Sequence, residues 1–396
     1  MIDYAKIKKD IDQKGFSLVD KNFFASEFGS DANIIDLTNS KVAGSFSDLQ
    51  GKKNPKYVYR NCCKDSWFVF NREECNLQIV TDLIQFIGLV MSLENTASNR
   101  YFRGQKASYD LMPSLFRKKE WVQNEMEINA RIYCDRHNDF LDCNSTFEKL
   151  VRLKHYNQPS RLLDLTANPL VALFFACYDS NKNENESIGV VYEAFCQEDK
   201  EKISVSSDTV TMLTAMTNTK ISKDVLNGNG RINCKSRGFN KKCSFCCRKG
   251  LINRCKHFNS IRSINLQNDW SKKYIEELTH QCKKEGMSIY WDDLCFPKLD
   301  QCILVKPPLN TDRIVRQSGC FIMCGMNIDD IYSPPEALYD FFKSPTGGKR
   351  NVYYILPCFK SRILEQLKVL GIDEYFIYPE LEREIDSVKN SYLKGK

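Results

Sequence analysis

The stretch from Asn168 to Cys177 constrains the fold of this chain more than any other. Leu170, Val171, Leu173, Phe174, Phe175 and Cys177 spread apolar side chains almost all the way round one helix. Such a helix has no face to give to water, so it must be buried. Asn168-Pro169 marks its start, because proline suits the first turn, where its missing N–H has no partner to lose. Asp164 or Thr166 is the expected cap.

A chain of 396 residues can supply the core that this helix needs and has room for two or three domains. Its hydrophobic content of 42% and charged content of 27% are those of a globular protein, and the net charge of +7 allows a polyanionic partner without demanding one. Met1 to Asp20 is charged throughout and carries no apolar signal region, so a cytoplasmic protein is expected. The 18 cysteines then read as thiols, some of them on metal, rather than as a disulfide scaffold. No membrane span is expected. Leu77 to Leu93 is the longest apolar run, broken by Gln78, Thr81, Asp82 and Gln85, and its periodicity predicts a core-facing helix.

The segments divide as 1–75, an N-terminal extension with short strands at "YVYR" and "WFVF"; 76–199, the first part of a core; 200–290, a basic, cysteine-rich insertion; and 291–396, the second part of the core. Helices are expected over 119–141 and 146–156. Strands are expected at "IGVVYEAF", "CILVKPP", 319–324 and "VYYILPC", and an amphipathic helix at "KSRILEQLKVLGI" ends near Gly371. The class is α+β. Within it, "YFRGQ" at 101–105 reads as a half-buried strand. Its glycine implies that something approaches the backbone closely. Its arginine is thereby held on a rigid element, ready for an anion.

"YFRGQ", "KHYNQPSRLLDLTANPLVALFFA", "RIVRQSGCF" and "ILEQLKVLGIDEYFIYPELE" occur in the order seen in FRG-domain proteins, which the chain resembles over roughly 76–199 and 295–390. The family is usual in bacteria and phages, often in defence or toxin-like settings. Where its pattern tends to run "HYGLPTRLLDWT", this chain has Asn157, Ser160 and Leu165, while His155, Arg161, Asp164 and Thr166 stay in place. The motif order is also similar to that of ADP-ribosyltransferases: an Arg-Gly strand, a Ser/Thr strand running into a helix, and a loop with Glu or Gln. That likeness implies a mixed α/β domain with a split sheet. It casts Arg103, Thr166 and Gln317 as catalytic, with NAD as the substrate held by Arg103, Gly104, His155, Tyr156, Asp164 and Phe175. The arginine fork would hold phosphate or ribose oxygens, and the glycine would let the backbone reach the nicotinamide amide. Tyr101, Tyr156 or Phe175 would stack on the ring, and Gln317 would orient the ribose. Glutamine is no base, so a base would come from Asp164, His155 or the target.

Each residue also has a plainer reading. Arg103 can form a structural ion pair with Asp164, and Asp164 can fix Arg161 in its turn. Gly104 can be a bulge, Thr166 a helix cap, His155 a core histidine and Gln317 a turn residue. A non-catalytic module that binds a nucleotide or a protein is the alternative to the enzyme. No G-x-S-x-G and no P-loop occurs, and "GNGR" at 228–231 lacks a strand–glycine–helix setting.

In the insertion, Cys243 and Cys246 form a C-x-x-C knuckle, and Cys234 with Cys255 (or His257) would complete a tetrahedral zinc shell. An iron–sulfur cluster or a metal-free thiol loop are the alternatives. Residues 231–258 hold nine Lys and Arg, among them Lys241, Lys242, Arg248 and Lys249, and no acidic residue. That is a footprint for RNA or DNA, with Phe239, Phe245 and Phe258 to stack on bases. An acidic protein partner such as an antitoxin or inhibitor is the other reading. The expected function is a toxin or antiphage effector that transfers ADP-ribose to a macromolecule, most readily a nucleic acid.

Overall fold

The apolar helix at Pro169–Cys177 lies flat against the main sheet, as its lack of a polar face requires: Val171, Ala172, Leu173, Phe174, Ala176 and Cys177 are all buried. Its cap is Asn168, whose side chain accepts from Leu170 N, and neither Asp164 nor Thr166 caps it. Both of those lie on the strand before it. The computed structural model describes residues 78–92, 99–179, 187–196, 207–221, 273–288, 299–308, 311–327, 330–345 and 348–379. It adds the backbone of 16–20, 34–35, 56–60, 66–71, 75–77 and 269–272.

Strands β1 (Phe16–Asp20), β2 (Ile34–Ile35), β3 (Lys56–Arg60) and β4 (Ser66–Asn71) form a sheet of their own in the order β1-β4-β3-β2. The main sheet holds β5 (Cys75–Val80), β6 (Asn99–Gln105), β7 (Leu162–Thr166), β8 (Gly189–Cys196), β9 (Cys302–Val305), β10 (Gly319–Cys324) and β11 (Arg350–Ile355). Its order is β5-β11-β8-β6-β7-β10-β9. β11 pairs parallel with β5, and the other pairs are antiparallel. The class is therefore mixed α and β, as expected.

Around the strands lie the helices α1 (Leu83–Ser92), α2 (Glu125–Asp135), α3 (Thr146–His155), α4 (Pro169–Cys177), α5 (Asp208–Ala215), α6 (Asp269–Lys284), α7 (Asp312–Arg316), α8 (Pro357–Val369) and α9 (Glu374–Ile377). The sheet is covered on both faces. Phe102, Val191 and Tyr353 pack with α1, α4 and α8, while their strand neighbours Tyr101, Val190, Tyr192 and Tyr354 pack with α3, α5 and α6 on the other side. Alternation along each strand separates the two cores.

Two expectations change. The helix expected from Leu77 starts only at Leu83, and Cys75–Val80 is a strand. The break is chemical: Asp82 Oδ1 accepts from Gln85 N at 2.9 Å and Gln85 Oε1 accepts from Thr81 N at 2.8 Å, a reciprocal cap. The span 200–290 also contributes to the main core, through Val210 and Leu213 of α5 and Tyr274, Ile275 and Leu278 of α6. The cysteine-rich stretch itself lies outside the described residues. So do the zinc ligands Cys234, Cys243, Cys246 and Cys255 and the nucleic-acid residues Lys241, Lys242, Arg248 and Lys249.

Asn157 takes φ 60°, in the left-handed region, just past the end of α3. Its N–H donates to Lys154 O and that of Gln158 to Leu153 O, which closes the helix in the turn that most often uses glycine. The FRG pattern has glycine at this position, and asparagine is the next most tolerant residue there. Asn157→Gly is expected to leave the urea midpoint nearly unchanged, whereas Asn157→Val should cost ~1–2 kcal/mol by strain.

Candidate functional site

The sheet is nearly cut between β6 and β7. β6 pairs with β8 from Asn99↔Cys196 to Gln105↔Val190, but with β7 it shares a single pair, Phe102↔Thr166. Beyond that pair the strands part, and β7 has no ladder partner on its β6 side, while its other edge stays paired with β10. Arg103 fills the gap: its Nη1 donates to the main-chain oxygen of Asp164 at 2.8 Å, doing with a side chain what a neighbouring strand would do with an N–H. Gln105, with its amide oxygen turned to the guanidinium, accepts from Arg103 Nε at 3.2 Å and donates to Tyr109 O at 3.1 Å. Nη2 takes no partner among the described residues.

Asp164 stands at the same seam with a half-exposed side chain. Its Oδ2 lies 3.1 Å from Lys154 Nζ and 3.5 Å from Arg103 Nη1. Desolvation works to raise its pKa, but Lys154 and Arg103 together outweigh that and hold the carboxyl below its ordinary value. Any stability that these pairs contribute is therefore present above the unfolded carboxyl value of ~4 and is lost as pH falls through the lower folded value. Burial lowers the pKa of the Arg103 guanidinium while Asp164 works to raise it. More positive charge sits close by. Lys306 Nζ lies 5.8 Å from the centre of the Tyr101 ring, the Arg117 guanidinium lies 5.8 Å from that of Tyr109, and Arg117 repels Arg103 electrostatically.

Thr166 and Gln317 meet at the next seam. Thr166 is buried; its hydroxyl donates to Gln317 O at 2.6 Å and accepts from Asn168 N at 3.0 Å. It thus ties the end of β7 to the turn between α7 and β10. The Gln317 amide donates through Nε2 to Ile377 O at 2.9 Å, linking that turn to α9. Arg313 of α7 lies over the Tyr378 ring at 5.0 Å, and Arg316 donates to Tyr375 O at 3.3 Å.

Arg103 and Asp164 therefore meet at the β6/β7 seam, and Thr166 and Gln317 meet where the end of β7 faces the turn between α7 and β10. The other expected ligands are elsewhere. Gly104 is approached closely, but by α4: a Cβ there would fall 1.8 Å from Ala172 O and 2.9 Å from the Phe175 Cβ. The main chain of a helix, rather than a ligand, occupies that face, and Phe175 belongs to the packed layer with Phe174 and Tyr378. Tyr156 is 79% exposed at the tail of α3. His155 lines a small cleft beside Arg152, Cys143, Pro307, Thr311 and Ile314.

Arg161 does not pair with Asp164. It is buried, its Nε and Nη2 clasp the buried Glu125 carboxylate of α2 at 2.7–3.0 Å, and its Nη1 donates to Gly325 O at 2.7 Å. Glu125 lies 36 residues upstream with no local pattern to mark it, so sequence reasoning missed it. Lys154 was overlooked beside His155, although the same short motif carries both.

Among the described residues no group of three or more His, Cys, Asp or Glu could hold a metal ion, and no helix is long and apolar enough to cross a membrane. A mixed α/β sheet with an arginine bridging a one-pair seam is the class that fold and site define. Residues 98–185 match the family model of the FRG domain. That match covers β6, β7 and α4, the elements that build the seam. No curated protein and no solved structure matches the chain.

Proposed function

We propose that the β6/β7 seam binds NAD and that the chain is an ADP-ribosyltransferase-like effector acting on a macromolecular target. One observation carries the reading: Arg103-Gly104, Thr166 and Gln317, far apart in sequence, fall on the adjacent strands β6 and β7 and at the entry to β10. Arg103 Nη2, with Lys154 and Lys306 nearby, would take the pyrophosphate through charge-assisted hydrogen bonds. Cleaving the nicotinamide–ribose bond builds positive charge on the sugar. The Asp164 carboxylate, kept ionised by its cationic neighbours, would face that charge or take the proton of the acceptor. Gln317 and Thr166 would position the turn that meets the ribose. The basic run at 231–258 favours RNA or DNA as the acceptor.

A second reading is a nucleotide- or protein-binding module without turnover. It is favoured by the Gln317 amide, which is already hydrogen-bonded to Ile377 O, and by the absence of a carboxylate at that position. NAD labelled on its adenylate portion, offered with RNA, DNA or lysate protein, separates the two. The transferase reading expects label on one acceptor class, lowered ~10–100-fold in a folded Arg103→Ala variant, the loss of a charge-assisted contact worth ~1.5–3 kcal/mol. Saturable NAD binding that Arg103→Ala weakens, with NAD left intact by every acceptor, would replace the enzyme with the binding module.

A further inference from the structure

Cys302 of β9 and Cys324 of β10 are directly opposite each other in the ladder, with sulfurs 3.4 Å apart. Both are buried and both are free thiols. The register decides whether they can join. Cys324 N donates to Arg161 O, on the β7 side, and the next residue, Gly325 N, donates to Gln301 O at 2.9 Å. Hydrogen-bonded and non-hydrogen-bonded pairs alternate along an antiparallel ladder, so Cys302 and Cys324 form a non-hydrogen-bonded pair. That is the type whose Cα atoms come closest, at ~4.5 Å, which falls within the span a disulfide bridges.

We infer that Cys302 and Cys324 are an oxidisable pair that closes into a cross-strand disulfide between β9 and β10. With hydrogen peroxide as the oxidant, one thiol becomes a sulfenic acid and releases a water. The second sulfur then attacks it, the S–O bond breaks, and a second water leaves. Two thiols are oxidised, one peroxide is reduced, and the protein is lighter by two hydrogens. Cys302 is the entry point, since it lies on the edge strand and is 9% exposed, whereas Cys324 is 0% exposed. Burial raises the Cys302 thiol well above its ordinary value, so the thiolate is scarce and the reaction is slow until the edge strand opens. The link fixes the open end of a hairpin whose connecting segment carries Lys306 and Gln317, and so stiffens one wall of the seam. The inference holds whatever the seam binds.

The test treats the folded, full-length protein with hydrogen peroxide, blocks the remaining thiols in denaturant with an alkylating agent, and maps peptides by mass. The expected result is a linked peptide pair containing Cys302 and Cys324 that reductant reverses. Cys302→Ala should abolish that linked pair and leave Cys324 alkylated or over-oxidised. Full alkylation of both cysteines after oxidation, in protein whose circular dichroism is native, would overturn the inference. So would pairing of either one with a different cysteine.

Discussion

Arg161→Ala is expected to cost ~3–5 kcal/mol of stability, read as a drop in the urea midpoint. Removing the guanidinium leaves the Glu125 carboxylate buried with its main partner gone, and leaves Gly325 O without its donor. Glu125→Ala should cost a similar amount by stranding the opposite charge. The informative variant removes both, Arg161→Met with Glu125→Leu. Its loss should fall well short of the sum of the singles, because no lone charge remains in the core. Single variants that each cost less than ~1 kcal/mol would show that water reaches the pair.

The second large effect is at Gly104. An added methyl would lie 1.8 Å from Ala172 O and 2.8 Å from the carbonyl carbon, atoms of the helix main chain that cannot swing aside. Gly189 on β8 stands in the same relation to Ala176 O, at 2.1 Å, so two glycines on adjacent strands seat successive turns of α4. Gly104→Ala is expected to lift the helix from the sheet and to cost about 3 kcal/mol, the upper end of ordinary overpacking. Gly88 in α1, with nothing within 4 Å of its would-be Cβ, is the control. Gly88→Ala should stabilise by about 0.5–1 kcal/mol through helix propensity alone. Equal effects at the two sites would refute the packing argument. If Gly104→Ala also abolishes NAD binding, thermal denaturation distinguishes a displaced helix from a lost ligand contact.

These two sites show what sequence reading reached and where it stopped. The apolar run 170–177 fixed a buried helix because burial is written into composition at helical spacing. The glycine of "YFRGQ" announced a close approach, but not whether a helix or a ligand made it. Strands at 319–324 and "VYYILPC" were legible from their β-branched and aromatic runs, whereas β5 was hidden by an apolar stretch that suited a helix equally well. The motif order paired Thr166 with Gln317, which touch, and the contact of Arg103 with Asp164 was among the plainer readings. The partner Glu125 was not legible, because an ion pair between elements 36 residues apart leaves no periodic trace, whereas Lys154 lay inside the motif. The one-pair seam was also invisible, since it is set by how two strands diverge and not by either strand's residues.

The parallel pairing of β5 with β11 has a consequence for how the chain is made. Cys75 and Arg350 are register partners yet stand 275 positions apart, 350 − 75. At a synthesis rate of ~5–20 residues per second, β5 waits roughly 15–55 s on the ribosome before its partner exists. Through that interval the apolar side chains of β5 and α1, among them Val80, Leu83, Phe86 and Val90, have no β11 and no α8 to cover them. Nascent chains halted before residue 350 are therefore the ones most in need of a chaperone.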